Sequence, residues 1–136
     1  MPEKAQPRIA IIDGSNVAHA TEGDSARLEN ILLVREKLLE EGLKPLVVVD
    51  AALRHQIDNS RDFERLVEAG DISQAPAGTD ADYFILSFAR ELDALVVSND
   101  RFRDRQKAFP EARENMIRFM IVNGEVVLER RNQRRD

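Results

Sequence analysis

The chain has 136 residues and a net charge of −5, with 43% hydrophobic and 33% charged residues, which is the balance of one soluble globular domain. It contains no cysteine, so disulfides, zinc–thiolate sites and thiol nucleophiles are excluded, and its two histidines lack the spacing of zinc ligands. No apolar run approaches the roughly 18 residues of a membrane span, and residues 1–7 lack the apolar core of a signal peptide. We therefore expect a cytoplasmic protein that does not contact membranes.

Short apolar runs alternate with longer amphipathic stretches along the chain. The predicted strands cover residues 8–12, 46–49, 72–75, 94–97 and 116–122. The predicted helices cover residues 25–41, 60–69, 79–92 and 101–115, the last of them broken at Pro110. Residues 14–23 are expected to form a loop, and Asp24 or Ser25 is expected to cap the first helix. Alternating strands and helices predict a parallel sheet with helices on both faces.

A hairpin is predicted to close the domain. Asn123 and Gly124 form the strongest short hairpin signal, and residues 125–128 would be the returning strand. We expect a flexible lead-in over 1–7, one domain over 8–128 and a basic tail over 129–136.

Two of the predicted strands end in polar clusters that carry acids. Asp13 follows the first strand, Asp100 follows the fourth with Asp104 four residues later, and Asp82 lies in the first turn of a predicted helix. Because the carboxyl ends of parallel strands meet at one edge of a sheet, we expect all four carboxylates to lie close together. Clustered carboxylates repel one another unless a cation lies among them. The pattern therefore predicts Mg²⁺ or Mn²⁺ bound by oxygen ligands.

Each of these acids also has a structural interpretation. Thr79 with Asp82 has the spacing of a capping box. Asp100 could cap the helix that follows it, and Asp104 could form a surface ion pair with Arg101 or Lys107. Two further acids, Asp50 at the end of the second strand and Asp80 in a first helical turn, are treated as secondary candidates.

The residues beside the second acidic cluster are basic. Arg101, Arg103 and Arg105 follow Asp100 directly. A divalent metal beside cationic side chains indicates a phosphodiester substrate. We expect the substrate to contact these arginines and the polar residues of the two clusters, which are Ser15, Ser98 and Asn99.

The two clusters resemble the signature segments of a known family. The segments Ile11–Ala18 and Val96–Asp104, together with the 18-residue step from Asp82 to Asp100, resemble the Regnase-type NYN ribonuclease domains of the PIN-like nuclease superfamily. The resemblance covers residues 8–128. It implies a three-layer, Rossmann-like (PIN-like) fold.

The same resemblance implies a site and an activity. Asp13, Asp82, Asp100 and Asp104 would hold magnesium, and Asn16 would orient the site. The implied reaction is endonucleolytic cleavage of single-stranded or stem-loop RNA, and a homodimer is an open expectation. The family often carries adjacent acids at the helix start, whereas Ala81 separates Asp80 from Asp82 here.

Two alternatives stay open. One is a toxin-like PIN ribonuclease controlled by an antitoxin. The other is a non-enzymatic, metal-dependent binding module of the von Willebrand A type, which needs Asp-x-Ser-x-Ser, whereas Val17 stands at the last position here.

Overall fold

A six-stranded sheet forms the centre of the computed structural model, which describes residues 6–21, 23 and 25–130. The strands are β1 (Ile9–Asp13), β2 (Lys44–Val49), β3 (Ile72–Gln74), β4 (Leu95–Val97), β5 (Met116–Val122) and β6 (Glu125–Arg130). Their order across the sheet is β3-β2-β1-β4-β5-β6. β1 to β5 are parallel and β6 runs antiparallel to β5. The predicted parallel sheet with a C-terminal hairpin is confirmed.

Helices cover both faces of this sheet. They are α1 (Gly14–Ala18), α2 (Leu28–Glu40), α3 (Ser60–Glu68) and α4 (Ala81–Leu92). Successive side chains of β1 point to opposite faces. Ala10 and Ile12 therefore pack in the core that includes α1, α2 and α3, while Ile11 packs in the core that includes α4. Because both faces of these strands are buried, nearly all of their residues are apolar, and the strands appear in the sequence as continuous apolar runs.

The loop predicted over residues 14–23 is wrong at its start. Gly14–Ala18 forms the short helix α1 directly after β1, and its residue Val17 is fully buried. α2 begins only at Leu28, whose N–H donates to Oδ1 of Asp58 over 2.8 Å. An N–H at the start of the helix is thus satisfied by a residue 30 positions away. Of the two predicted caps, Asp24 lies outside the described residues, and Ser25 is wrong because the N-cap position is Arg27.

The helix predicted over 101–115 is also wrong. The segment forms two short 3₁₀ turns, Arg103–Arg105 and Pro110–Arg113. Phe102 has a left-handed backbone with φ of 51°, which interrupts any helix continuing from Asp100. The side chains of Phe102 and Phe109 are buried in the core beneath α4. Burying these two rings outweighs the local helical preference of the charged residues between them.

The hairpin turn follows its sequence signal. Asn123 and Gly124 have φ values of 51° and 77°, as a two-residue turn of type I′ requires. β6 continues to Arg130, two residues beyond the predicted strand, and residues 131–136 of the predicted tail lie outside the described residues. Among the described residues, no helix combines the length and apolar character that crossing a membrane would require.

Candidate active site

Four acids are brought to one edge of the sheet. Asp13 ends β1, Asp50 follows β2, Asp100 follows β4 with two residues between, and Asp82 lies in the first turn of α4. β1 lies between β2 and β4, and the order of the strands reverses there: β2 and β3 lie on one side of β1, and β4, β5 and β6 on the other. That position is where open α/β sheets hold their ligands. The structure therefore collects three of the four predicted metal ligands, together with the secondary candidate Asp50.

Asp13 is the buried member of this group, with only 7% of its surface exposed. Its Oδ2 accepts a hydrogen bond of 2.8 Å from the hydroxyl of Ser98. Burial is the main cause that raises its pKa from 3.8 to about 6. The charges of Asp82 and Asp100 raise this pKa further, while the hydrogen bond from Ser98 and the nearby backbone N–H of Asn16 oppose the shift.

Asp82 and Asp50 form the next part of the cluster. Partial burial raises the pKa of Asp82, and the charges of Asp100 and Asp50 raise it further. Asp50 is fixed by its backbone N–H, which donates to Oγ of Ser15 over 3.1 Å, and by its Oδ1, which accepts from the N–H of Leu53 over 2.9 Å. The neighbouring charges that raise the pKa values of Asp13 and Asp82 all belong to other acids.

Ser98 and Asn99 connect the two halves of the site. The hydroxyl of Ser98 is fully buried, and while it donates to Asp13 it accepts the N–H of Asp100 over 3.0 Å. The N–H of Asn99 donates to Oδ1 of Asn16 over 2.9 Å, which ties α1 to the end of β4. The amide of Asn99 also pairs with the backbone of Phe119 on β5. These polar side chains, predicted as substrate contacts, are bonded within the protein.

Asp100 is exposed and faces solvent beside the buried Asp13. Its Oδ1 accepts the N–H of Phe102 over 2.8 Å, so it also fixes the turn that follows β4. Asp104 is exposed on the turn Arg103–Arg105. The helix predicted over 101–115 would have placed Asp104 one turn after Asp100 on the same face, but no α-helix spans residues 100–104. No hydrogen bond or ion pair joins the side chain of Asp104 to another described residue.

Asp80 and Arg105 form an ion pair across the entrance to α4. Asp80, and not Thr79, is the N-cap of α4, because its Oδ1 accepts the N–H of Tyr83 over 3.2 Å. Its other oxygen accepts from Nη2 of Arg105. Arg105, predicted as a substrate contact, is thus committed to Asp80. The capping box predicted from Thr79 and Asp82 is therefore wrong.

The remaining predicted arginines are placed differently. Arg101 and Arg103 are exposed and, with Asp100, line one end of a groove of about 640 Å³. Arg113 and Arg118 line the same groove. Neither of these two was predicted from the sequence, although Arg118 is a lone charge inside the apolar strand β5.

A divalent cation fits this site by its chemistry. Carboxylate oxygens are the ligands that Mg²⁺ and Mn²⁺ prefer. The pKa values of Asp13 and Asp82 are raised first by burial and further by the charges of neighbouring acids, and a bound cation would offset both effects. Within the described residues, no group of three His, Asp or Glu side chains is placed to hold a metal ion. If a cation binds here, Asp13, Asp82 and Asp100 would hold it once their side chains had moved closer together.

Comparisons with known proteins agree with this fold. The uncharacterized protein MJ1085 of Methanocaldococcus jannaschii is 26% identical over 135 residues, which is 94% of this chain and 26% of that protein. Two solved structures of the nuclear protein-only RNase P 2 of Arabidopsis thaliana superpose with TM-scores of 0.71 and 0.72 at 22% and 25% identity. Each match covers 89% of this chain, whereas the chain spans only 29% of the plant protein.

A family assignment covers nearly the whole chain. The family described as the Zc3h12a-like ribonuclease NYN domain matches residues 6–136. This match and the superposed structures confirm the NYN and PIN-like resemblance derived from the segments around Asp13 and Asp100. The chain therefore belongs to the Zc3h12a-like ribonuclease NYN domain family.

Proposed function

We propose that this protein is a divalent-metal-dependent endoribonuclease that cleaves single-stranded or stem-loop RNA. Membership of a ribonuclease family indicates a nuclease, a hydrolase that acts on RNA, and favours it over a von Willebrand A-type binding module. The observation that carries the metal-dependent part is the group of mutually repelling acids at the carboxyl edge of β1, β2 and β4.

The proposed roles of the three acids follow from how deeply each one is buried. Asp13 is buried and its Oδ2 is held by the hydroxyl of Ser98, which restricts the orientation of its carboxylate. Asp100 is exposed and Asp82 half-buried, so both can reach a ligand that arrives from solvent. A bound Mg²⁺ or Mn²⁺ would polarise a phosphoryl oxygen and lower the pKa of a bound water. Asn16 positions the site through Asn99 and is not required to touch the substrate.

Exposed arginines are proposed to bind the phosphates of the RNA. Arg101 and Arg103 are proposed to hold RNA phosphates next to Asp100, since both are exposed and line the groove that opens there. Asp104 stays a proposed ligand whose side chain would have to join the others when a cation binds.

The test is cleavage of end-labelled single-stranded RNA with and without Mg²⁺, and with excess chelator. We expect chelator to abolish cleavage. Asp13→Asn and Asp100→Asn should each lower the rate at least about a hundredfold, as for the loss of a main electrostatic group.

Asp71→Asn is the matched control, because Asp71 is an exposed acid directly before β3, at the opposite end of the strands. It should leave the rate unchanged. Full cleavage in excess chelator would remove the metal from the mechanism. Normal rates in both site variants would remove the acids from it.

A further inference from the structure

A groove lined with arginines opens beside Asp100 on the face of the sheet that carries α4. It has a volume of about 640 Å³ and extends from the end of β4 across β5 to β6. We call it the basic groove, and its five cationic side chains are Arg101, Arg103, Arg113, Arg118 and Arg130. Two acids also line it, Asp100 at the site and Glu129 on β6.

These arginines lack acidic partners. Within the described part of the chain, none of the five forms an ion pair or a side-chain hydrogen bond. By contrast, ion pairs engage the arginines Arg8, Arg54, Arg65, Arg90 and Arg105, all of which lie outside the groove. In a chain with a net charge of −5, a local excess of unpaired cations attracts an anionic ligand.

The far wall of the groove is firmly anchored. Arg113 ends the 3₁₀ turn Pro110–Arg113, and Glu111 in that turn accepts two hydrogen bonds from Arg90 of α4, at 2.7 and 3.0 Å. Arg90 also donates to the carbonyl of Ala108 and lies 4.5 Å from the ring centre of Phe109. The turn that presents Arg113 is therefore fixed before any ligand binds, which lowers the entropic cost of binding.

The floor of the groove is the hairpin. Arg118 occupies the same face of β5 as Met116, because side chains alternate along a strand. Its cross-strand neighbour on β6 is Glu129, yet the two do not pair within 4 Å. Its guanidinium is thus left to a ligand lying across the strands.

We propose that the basic groove binds the backbone of the RNA strand on one side of the scissile phosphate, with Arg113 and Arg118 holding phosphates beyond those at Arg101 and Arg103. This rests on the proposed function. β6 lies two strand spacings from β4, about 10 Å. At a rise of roughly 3.4 Å per stacked nucleotide, that distance accommodates about three nucleotides. The strand would then leave the site over the hairpin.

The experiment measures binding of a fluorescent 12-nucleotide single-stranded RNA in chelator, at several salt concentrations, so that cleavage does not interfere. Arg113→Gln with Arg118→Gln should weaken binding and lower the slope of log affinity against log salt by about 0.7 per lost contact. Arg35→Gln with Arg65→Gln removes the same charge from α2 and α3, on the other face of the sheet, and should leave the slope unchanged. Arg118→Lys keeps the charge and should retain the slope even where the glutamine variant folds poorly.

The outcomes separate the two proposals. If wild-type protein cleaves RNA with Mg²⁺ but the Arg113/Arg118 variant binds with an unchanged slope, the groove proposal is overturned and the ribonuclease stands. If wild-type protein neither binds nor cleaves RNA, the proposed function fails and the groove proposal fails with it. Polyaspartate binding that needs Arg113 and Arg118, without RNA binding, would reassign the groove to an acidic polypeptide.

Discussion

At the scale of the single residue, the site depends on one buried carboxylate. Asp13 stands at the end of the central strand, where both neighbouring strands shield it from water. Among the described residues, Ser98 is the one whose side chain hydrogen-bonds this carboxylate, so burying it as an anion destabilises the folded state. In the proposed function the same carboxylate supplies a ligand for a cation. Ser98 is equally important, because its hydroxyl donates a hydrogen bond to Asp13 and accepts one from the N–H of Asp100.

The raised pKa of Asp13 gives a prediction for stability against pH. Because its pKa is about 6 when folded and about 3.8 when unfolded, the folded state binds more protons between these values. The free energy of unfolding should therefore fall as pH rises from about 4 to about 6, by up to about 3 kcal/mol, and stay low above that. Asp13→Asn cannot titrate, so it should lack this decrease and be more stable than wild type at pH 7.

Urea unfolding at pH 4 and pH 7, in chelator, measures this difference directly. Asp71→Asn is the control, because Asp71 is exposed and should leave the pH dependence of wild type intact. If Asp13→Asn is instead less stable than wild type at pH 7, Asp13 is a structural hydrogen-bond acceptor and its charge costs little.

At the scale of the elements, close packing of α1 on β2 and the anchoring of the turn after β4 position the acids. Asn16 and Ser15 on α1 reach the ends of β4 and β2 respectively, so the short helix works as a spacer between the strands. The turn Arg103–Arg105 is held to the start of α4 by Arg105 and Asp80. Small shifts in either element would separate Asp13 from Asp82 or Asp100.

Gly14 sets how closely α1 approaches β2. A Cβ added there would lie 2.5 Å from Cγ1 of Val49 and 3.0 Å from the carbonyl oxygen of Val48. We expect Gly14→Ala to lower the free energy of unfolding by about 1–3 kcal/mol, as overpacking does, and to lower activity by displacing Asn16. Val49→Ala makes room for the methyl group, so the double variant should recover part of the loss in a double-mutant cycle. Strictly additive losses would show that this contact does not limit the packing.

The ion pair of Arg105 with Asp80 is expected to position the turn rather than to bind RNA. Asp80→Asn keeps an oxygen for the N–H of Tyr83 but removes the charge, and Arg105→Gln removes the other partner. Each should lower kcat severalfold with little effect on KM, and the double variant should be no worse than either single one. Stability should change by less than about 1 kcal/mol, because the pair is partly exposed.

Steady-state kinetics on labelled RNA distinguish the two roles of Arg105. If the Arg105 variant raises KM and lowers the slope of log RNA affinity against log salt concentration while kcat is unchanged, Arg105 is a substrate contact, as predicted from the sequence.

At the scale of the whole molecule, charge is distributed unevenly. The chain is acidic, and its four neighbouring carboxylates add to the repulsion that an RNA strand meets. An RNA strand must therefore be attracted by a local positive surface, and the basic groove beside Asp100 is such a surface. RNA affinity should therefore fall steeply with salt in spite of the negative net charge.

Arg101→Ala with Arg103→Ala tests this distribution. Both side chains are exposed beside Asp100, so the variant should raise KM and lower the salt slope of RNA binding by about 0.7 per lost contact. The thermal shift produced by Mg²⁺ should change little, because neither arginine hydrogen-bonds Asp13, Asp82 or Asp100. A solvated surface predicts no change in slope, and that result would remove both arginines from the substrate path.

The sequence by itself determined the strands, the hairpin and the acids at the strand ends. These follow from local rules, because a buried parallel strand needs an unbroken apolar run and a type I′ turn needs residues such as Asn123 and Gly124 that tolerate positive φ. The position of Asp13 and Asp100 after such runs was enough to predict one shared edge.

Only the tertiary structure decided what the polar residues bind. The sequence of 101–115 predicts a helix, but burial of Phe102 and Phe109 under α4 breaks the segment into turns, so Asp104 does not lie one helical turn after Asp100. Asp50 was already a secondary candidate at the same edge, but only the strand order made β2 the direct neighbour of β1. A contact across 25 residues likewise committed Arg105 to Asp80. Such pairings depend on distances between residues far apart in the chain, which no local pattern encodes.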